Sequence, residues 1–244
     1  MDKPKSLTLS QIFLHLFTGL GSGLVGSIVL GILLLLSWGI IGSTIAPSTG
    51  VPEDLGLSTG AEPAHPLFLF FVMLGVFLSV LAASITHVLL MTVVDDHFQH
   101  RATILNHAFF GNLVLLLFFV PVYLAVAARW GSDSAGMAGL FHAVIAALFS
   151  FSILEILNNR KYLLVNLYGV ILGLVLFSIA AILLSRNTAL LAFLSLPLLI
   201  GLLSAGNAIV RSVYGWMYQT YGTDLLNSDA RFGEDYGTSE ASEE

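Results

Sequence analysis

Six long apolar runs decide what this chain can fold into. Each run is 22 to 28 residues long, and together they contain one charged residue, Glu155. A helix needs about 20 mostly apolar residues to cross the roughly 30 Å hydrocarbon core of a bilayer, so each run is long enough to span it. The runs cover residues 20–45, 67–94, 104–128, 136–157, 162–184 and 189–210.

These runs predict an all-α integral membrane protein with a bundle of six transmembrane helices. Backbone polar groups in lipid must be satisfied within the segment, and the runs are continuously apolar, whereas the strands of a membrane barrel alternate. Apolar residues make up 57% of the chain and charged residues 10%, against about 25% charged residues in ordinary soluble domains. This composition excludes a soluble enzyme, and the lack of a basic stripe excludes a nucleic-acid partner.

The distribution of Lys and Arg predicts the orientation. With the N-terminus inside, the inner segments hold Lys3, Lys5, Arg101, Arg160, Lys161, Arg211 and Arg231, whereas the outer loops hold Arg129 and Arg186. We therefore expect a multi-pass protein of the plasma membrane with both termini in the cytoplasm.

The chain divides into a six-helix transmembrane domain, residues 1–218, and an acidic cytoplasmic tail, residues 219–244. The tail carries the whole net charge of −6 and few large apolar side chains, so we expect it to be disordered. Before the first run, residues 7–18 place apolar side chains on one helical face. They predict either an interfacial helix on the inner leaflet or an extension of the first span.

Small residues recur every four positions in two of the runs. Gly19, just before the first run, forms such a row with Gly23, Ser27 and Gly31 inside it, and Gly169 and Gly173 repeat the spacing in the fifth. Small residues at this spacing let two helix backbones approach closely. The rows therefore predict helix packing, either inside the bundle or against a second copy or another membrane subunit.

The residues best suited to bind a cofactor surround the connection between the second and third runs. His87 and His107 are predicted at similar depth on neighbouring antiparallel helices, and Asp96, His97 and His100 lie in the inner loop between them. Two such histidines could hold a haem, and the whole set a divalent metal. The alternative is that these side chains are packing or interfacial groups, so no cofactor is predicted outright.

A second inner loop contains the charged residue of the fourth run. Glu155 could pair with Arg160 near the headgroups, or meet Asp95 and Asp96 across the cytoplasmic face. The alternative is a solvated polar cap, whose ion pairs contribute little.

Three functions follow from these features. The leading one is a non-catalytic scaffold or subunit of a membrane complex that packs through the small-residue faces. The second is a metal- or haem-dependent membrane enzyme that uses His87 and His107. The third is a small-solute transporter whose third and sixth helices are kinked by Pro121 and Pro197. The chain has no cysteine, and its sequence has no zinc-protease, Walker or serine-hydrolase motif, so an enzyme is the less favoured class.

Overall fold

The computed structural model describes residues 6–45, 66–95, 101–158 and 163–221. Side chains are not described at position 38 or in the ranges 41–45, 66, 101–104, 126–136, 157–158 and 188–189. Every regular element in the described part is a helix: α1 Leu9–Ile45, α2 Pro66–Val94, α3 Arg101–Asn158, α4 Leu163–Leu184 and α5 Thr188–Tyr221. Most of the acidic tail, of the first outer loop and of both inner loops lies outside the described residues.

Six segments of these helices are long and apolar enough to cross a membrane, which confirms the all-helical architecture and the number of spans in the described part of the chain. They are Leu9–Ser37, Leu67–Val94, Leu105–Ala125, Met137–Ile156, Leu163–Leu184 and Leu190–Tyr221. The chain is therefore built as a polytopic membrane protein.

Helix α3 carries two of the six segments, and its two halves fold back on each other. The Asn112 side-chain amide donates to the Ser150 hydroxyl at 2.5 Å, although 38 residues separate them. A straight helix would hold these two residues roughly 57 Å apart. Further along, the Tyr123 hydroxyl lies 3.2 Å from His142 Nδ1, and the His142 ring is stacked on Phe119 at 4.4 Å. The chain therefore reverses between the two apolar halves.

Helix α1 begins eleven residues before the first apolar run, because the chain supplies a capping box there. The Thr8 backbone N–H donates to Gln11 Oε1 at 2.8 Å, and the Gln11 N–H donates to Thr8 Oγ1 at 3.4 Å. This reciprocal pair satisfies two helix-end donors. Residues 9–18 are consequently continuous with the first span. At the start of α5, Asn187 acts similarly, accepting from the Leu190 N–H at 3.0 Å.

Helix α5 is the centre of the bundle and packs against α1, α3 and α4. Two thirds of its most apolar window are buried (67%), whereas α4 is peripheral at 17%. The main core cluster joins α2, the second half of α3 and α5. It consists of Val76, Val80, Ala83, Ala143, Ala146, Ala147, Phe151, Leu196, Leu199, Ile200 and Leu203.

Candidate functional site

Every helix contributes a polar side chain to one end of the bundle. This is the end where α1 and α4 begin, α2 and α3 end, and α5 passes on its way to Tyr221. We call the group the polar cluster, and it consists of His15, Asp95, Glu155, Asn166, Asn207 and Arg211. Each of these residues is buried except Arg211, which is partly buried. Ionisable residues at such depth in a membrane protein are costly, and they are the default candidates for a functional site.

An ion pair between α2 and α5 forms the outer part of the polar cluster. Arg211 Nη1 lies 2.6 Å from Asp95 Oδ2, and the two side chains are 13% and 7% exposed. Asp95 directly follows α2, where its backbone N–H donates to the Met91 carbonyl at 2.7 Å. His15 Nε2 of α1 lies 3.9 Å from the same carboxylate oxygen. The Asp95 carboxylate thus joins the ends of three helices.

Glu155 occupies the inner part of the polar cluster and joins α3, α4 and α5. Its side chain contacts the Asn207 amide, with 2.5 Å between Oε2 and Nδ2, and its backbone carbonyl accepts from Asn166 Nδ2 at 3.2 Å. Glu155 also lies within electrostatic range of Arg211 and Asp95. Removing one member would leave the others with an uncompensated buried polar group, which is why such networks resist substitution.

A line of polar side chains continues from the polar cluster into the bundle. His87 lies two turns before Asp95 on α2, roughly 12 Å deeper at 1.5 Å per residue. It is buried within electrostatic range of His15, and its ring centroid lies 5.5 Å from that of Phe151. On α5, Ser204 lies three residues before Asn207, just under one helical turn deeper, and it is fully buried.

A small cavity adjoins His87, with a volume of about 10 Å³. That volume has room for about one water molecule. The residues around it are Ala83, Ser84, His87, Ala147, Phe151, Leu154 and Ile200. Several of them belong to the apolar core cluster, so the polar line ends there against packed hydrocarbon.

The two histidines that the sequence placed at similar depth lie in different surroundings. The His87 side chain is enclosed, whereas that of His107 is exposed. A haem held between them would require the helices around the His87 cavity to separate, because the cavity is far smaller than a haem. The three loop residues of this predicted site, Asp96, His97 and His100, lie outside the described residues, and the metal assignment stays a prediction. Among the described side chains, no group of three or more His, Asp or Glu is arranged to hold a metal ion.

The small-residue row of α1 is used mostly for contact with α5. A Cβ added at Gly19 would come within 2.7 Å of the Gly201 Cα, and one at Gly23 would overlap the backbone of Pro197. Ser27 donates to the Phe193 carbonyl at 2.9 Å. Gly31 differs, since nothing lies within 4 Å of its added Cβ. The row therefore packs inside the bundle, except at Gly31.

The second row packs α4 on α5 at equally short range. A Cβ on Gly169 would lie 2.6 Å from the Asn207 Cα, and one on Gly173 would lie 2.6 Å from the Leu203 Cα.

Both prolines of the transporter hypothesis lie inside helices: Pro121 in α3, with an exposed side chain, and Pro197 buried in α5.

Sequence reasoning brought only part of this site together. It gave proximity of Glu155 to Asp95 as one of several alternatives, and the structure places the two within electrostatic range. It missed Arg211 and Asn207, although an amide and a guanidinium four residues apart at the end of a span form one helical stripe. It paired Glu155 with Arg160 as one alternative, and Arg160 lies outside the described residues.

Comparison with models of protein families, with curated proteins and with solved structures finds no match to this chain. The functional argument therefore depends on the geometry of the bundle.

Proposed function

We propose that this polytopic membrane protein is a non-catalytic subunit or scaffold of a membrane complex. The packing around the polar cluster supports this reading. In the described part of the chain Asp95 is bonded to Arg211 and Glu155 to the Asn207 amide, and the cavity beside His87 has room for about one water molecule. A site for an organic substrate normally needs a far larger concave space.

The observation that carries the proposal is the open part of α1 at Gly31. The three earlier members of the row contact α5, whereas nothing lies within 4 Å of a Cβ added at Gly31. Around it, Ile28, Ile32 and Leu35 are exposed. A notch of this kind lets a second transmembrane helix approach closely, as small residues do at other helix interfaces in membranes. We assign this face of α1 to contact with another membrane subunit.

The absence of cysteine makes the test specific, because an introduced thiol is the only one in the chain. Ile28→Cys places a thiol beside Gly31, and Ile179→Cys on α4 is the matched control, since the two isoleucines are 49% and 52% exposed. In native membranes, oxidation should cross-link the Ile28→Cys chain and leave the Ile179→Cys chain monomeric. A product of twice the mass would identify a second copy, and another mass a different subunit.

A second variant separates the interface from a chance collision. Adding Gly31→Leu to Ile28→Cys puts a large side chain at a position where an added Cβ meets nothing within 4 Å, so cross-linking should fall while the yield of folded protein is kept. Equal cross-linking at positions 28 and 179, or cross-linking that ignores Gly31→Leu, would contradict the proposal.

The proposal includes the plasma membrane as location and cytoplasmic ends for both termini. The excess of Lys and Arg on one side of the predicted spans supports this orientation. A metal- or haem-dependent enzyme has less support, because His87 is enclosed and His107 is exposed. A transporter has less support as well, because the polar line ends at the apolar core.

A further inference from the structure

Glu155 is the one buried carboxyl within the described spans. Among the described residues, no cationic group is bonded to it. Arg211 is the cation within its range, and that guanidinium is bonded to Asp95 at 2.6 Å. The direct side-chain partner of Glu155 is the neutral amide of Asn207. An ionised carboxylate buried without a bonded counter-charge is strongly disfavoured. The geometry therefore favours the neutral acid at this position.

The Asn207 side chain holds one oxygen of this carboxyl. It is 2% exposed, and its Nδ2 donates to Glu155 Oε2. An amide N–H can donate to the C=O oxygen of a protonated carboxyl as well as to a carboxylate, so this contact is compatible with the neutral acid. The proton is then carried on Oε1.

We propose that the polar cluster binds one exchangeable proton, carried by the Glu155 carboxyl, whose Oε2 accepts from the Asn207 amide. With the proton bound, Arg211 and Asp95 form a neutral pair. When the O–H bond of Glu155 breaks, the proton leaves through the nearby end of the bundle and its electron pair stays on the carboxylate. The Glu155 carboxylate then adds a second negative charge within range of Arg211.

Arg211 is placed to respond to that change. It lies one helical turn beyond Asn207 on α5, and its guanidinium has five N–H donors, so it can bond to Asp95 and Glu155 together. Proton release would thus pull the end of α3 toward the pair that already joins α2 to α5. The charged and titratable groups around Glu155 in the described chain are His15 of α1, Asp95 and His87 of the α2 segment, and Arg211 of α5. Helix α4 contributes the neutral amide of Asn166.

The test is infrared difference spectroscopy on the full chain in lipid nanodiscs, titrated from acidic to alkaline pH. A protonated carboxylic acid has its own C=O stretching band, which shifts in D₂O. Ordinary Asp and Glu side chains ionise at about pH 4. We expect wild type to keep one such band after those carboxyls have ionised, and to lose it as pH rises further. Glu155→Gln should remove this remaining band, and Glu53→Gln, in the predicted outer loop, should leave it unchanged. Asn207→Leu should shift the band, because the carboxyl then loses its hydrogen-bond donor.

Each outcome either supports or overturns the proposal. If Glu155→Gln does not fold, Glu155→Asp keeps a carboxyl and should keep a pH-dependent band at a changed frequency. The proposal is overturned if wild type keeps no acid band once ordinary carboxyls have ionised, or if that band is the same in wild type and in the folded Glu155→Gln chain. It concerns the interior of one chain, so it stands or falls independently of the α1 interface.

Discussion

The guanidinium of Arg211 lies 2.6 Å from the carboxylate of Asp95, although 116 residues separate them in the chain. Asp95 ends the second span and Arg211 belongs to the sixth, so this contact fastens α2 to the central helix. His15, on α1, stands 3.9 Å from the same oxygen. A single carboxylate therefore gathers three helices at one end of the bundle.

Removing the charge of Asp95 should destabilise the bundle. We expect Asp95→Asn to lower the free energy of unfolding by about 3 kcal/mol, because Arg211 would then be a partly buried cation without its partner. Denaturant titration in mixed micelles measures this loss. Arg186→Gln, at an exposed turn between α4 and α5, is the control and should change stability by less than about 0.5 kcal/mol.

The double variant Asp95→Asn with Arg211→Gln distinguishes a bond from two separate effects. Its loss should be smaller than the sum of the single losses by at least about 1 kcal/mol, because the two groups are in direct contact. Strict additivity would contradict the pairing.

The same substitution at two glycines of α1 should have opposite consequences. Gly19→Ala should cost about 1–3 kcal/mol of stability, because its methyl group would meet the backbone of α5 at 2.7 Å. Gly31→Ala should be neutral or stabilising by up to about 1 kcal/mol, because its methyl group meets nothing and alanine favours the helix. Thermal unfolding of the two variants side by side measures the difference. Equal effects would contradict the orientation of α1 in which Gly19 faces α5 and Gly31 does not.

Metal analysis addresses the histidines. We expect no near-stoichiometric metal that is present in wild type, purified from cells grown with ample iron, zinc and haem, and lost in both His87→Ala and His107→Ala. The reason is that His87 faces the interior whereas His107 is exposed. Mass spectrometry of the metal content, with optical spectra for haem, decides it. Stoichiometric metal lost in both folded variants would restore the enzyme hypothesis.

Labelling of single cysteines tests the orientation. Ser58→Cys lies in the predicted outer loop and Ser242→Cys in the predicted cytoplasmic tail, and the natural chain has no thiol to interfere. A membrane-impermeant maleimide should label position 58 in intact cells and position 242 only after permeabilisation. The reverse pattern would place both termini outside, against the distribution of Lys and Arg.

Hydropathy was enough to predict the spans, but it left the ends of the helices open. The apolar run at 20–45 predicted the first span, and the structure begins α1 at Leu9 because Thr8 and Gln11 cap it. A capping box depends on two polar residues that hydropathy does not weigh. The choice between packing inside the bundle and packing against a partner was likewise open for the small-residue rows. Gly19 and Gly23 proved to contact α5, whereas Gly31 contacts nothing within 4 Å.

What the sequence by itself determined is the number and type of spans, because a backbone in lipid must satisfy its own hydrogen bonds and a helix needs a definite length to cross. What only the tertiary structure decided is which side chains meet. Glu155 could pair with Arg160 or lie beside Asp95 as far as the sequence was concerned, and the bundle brought it to Asn207 and within range of Arg211. The rotation of each helix about its axis sets such contacts, and that rotation results from packing between spans distant in sequence.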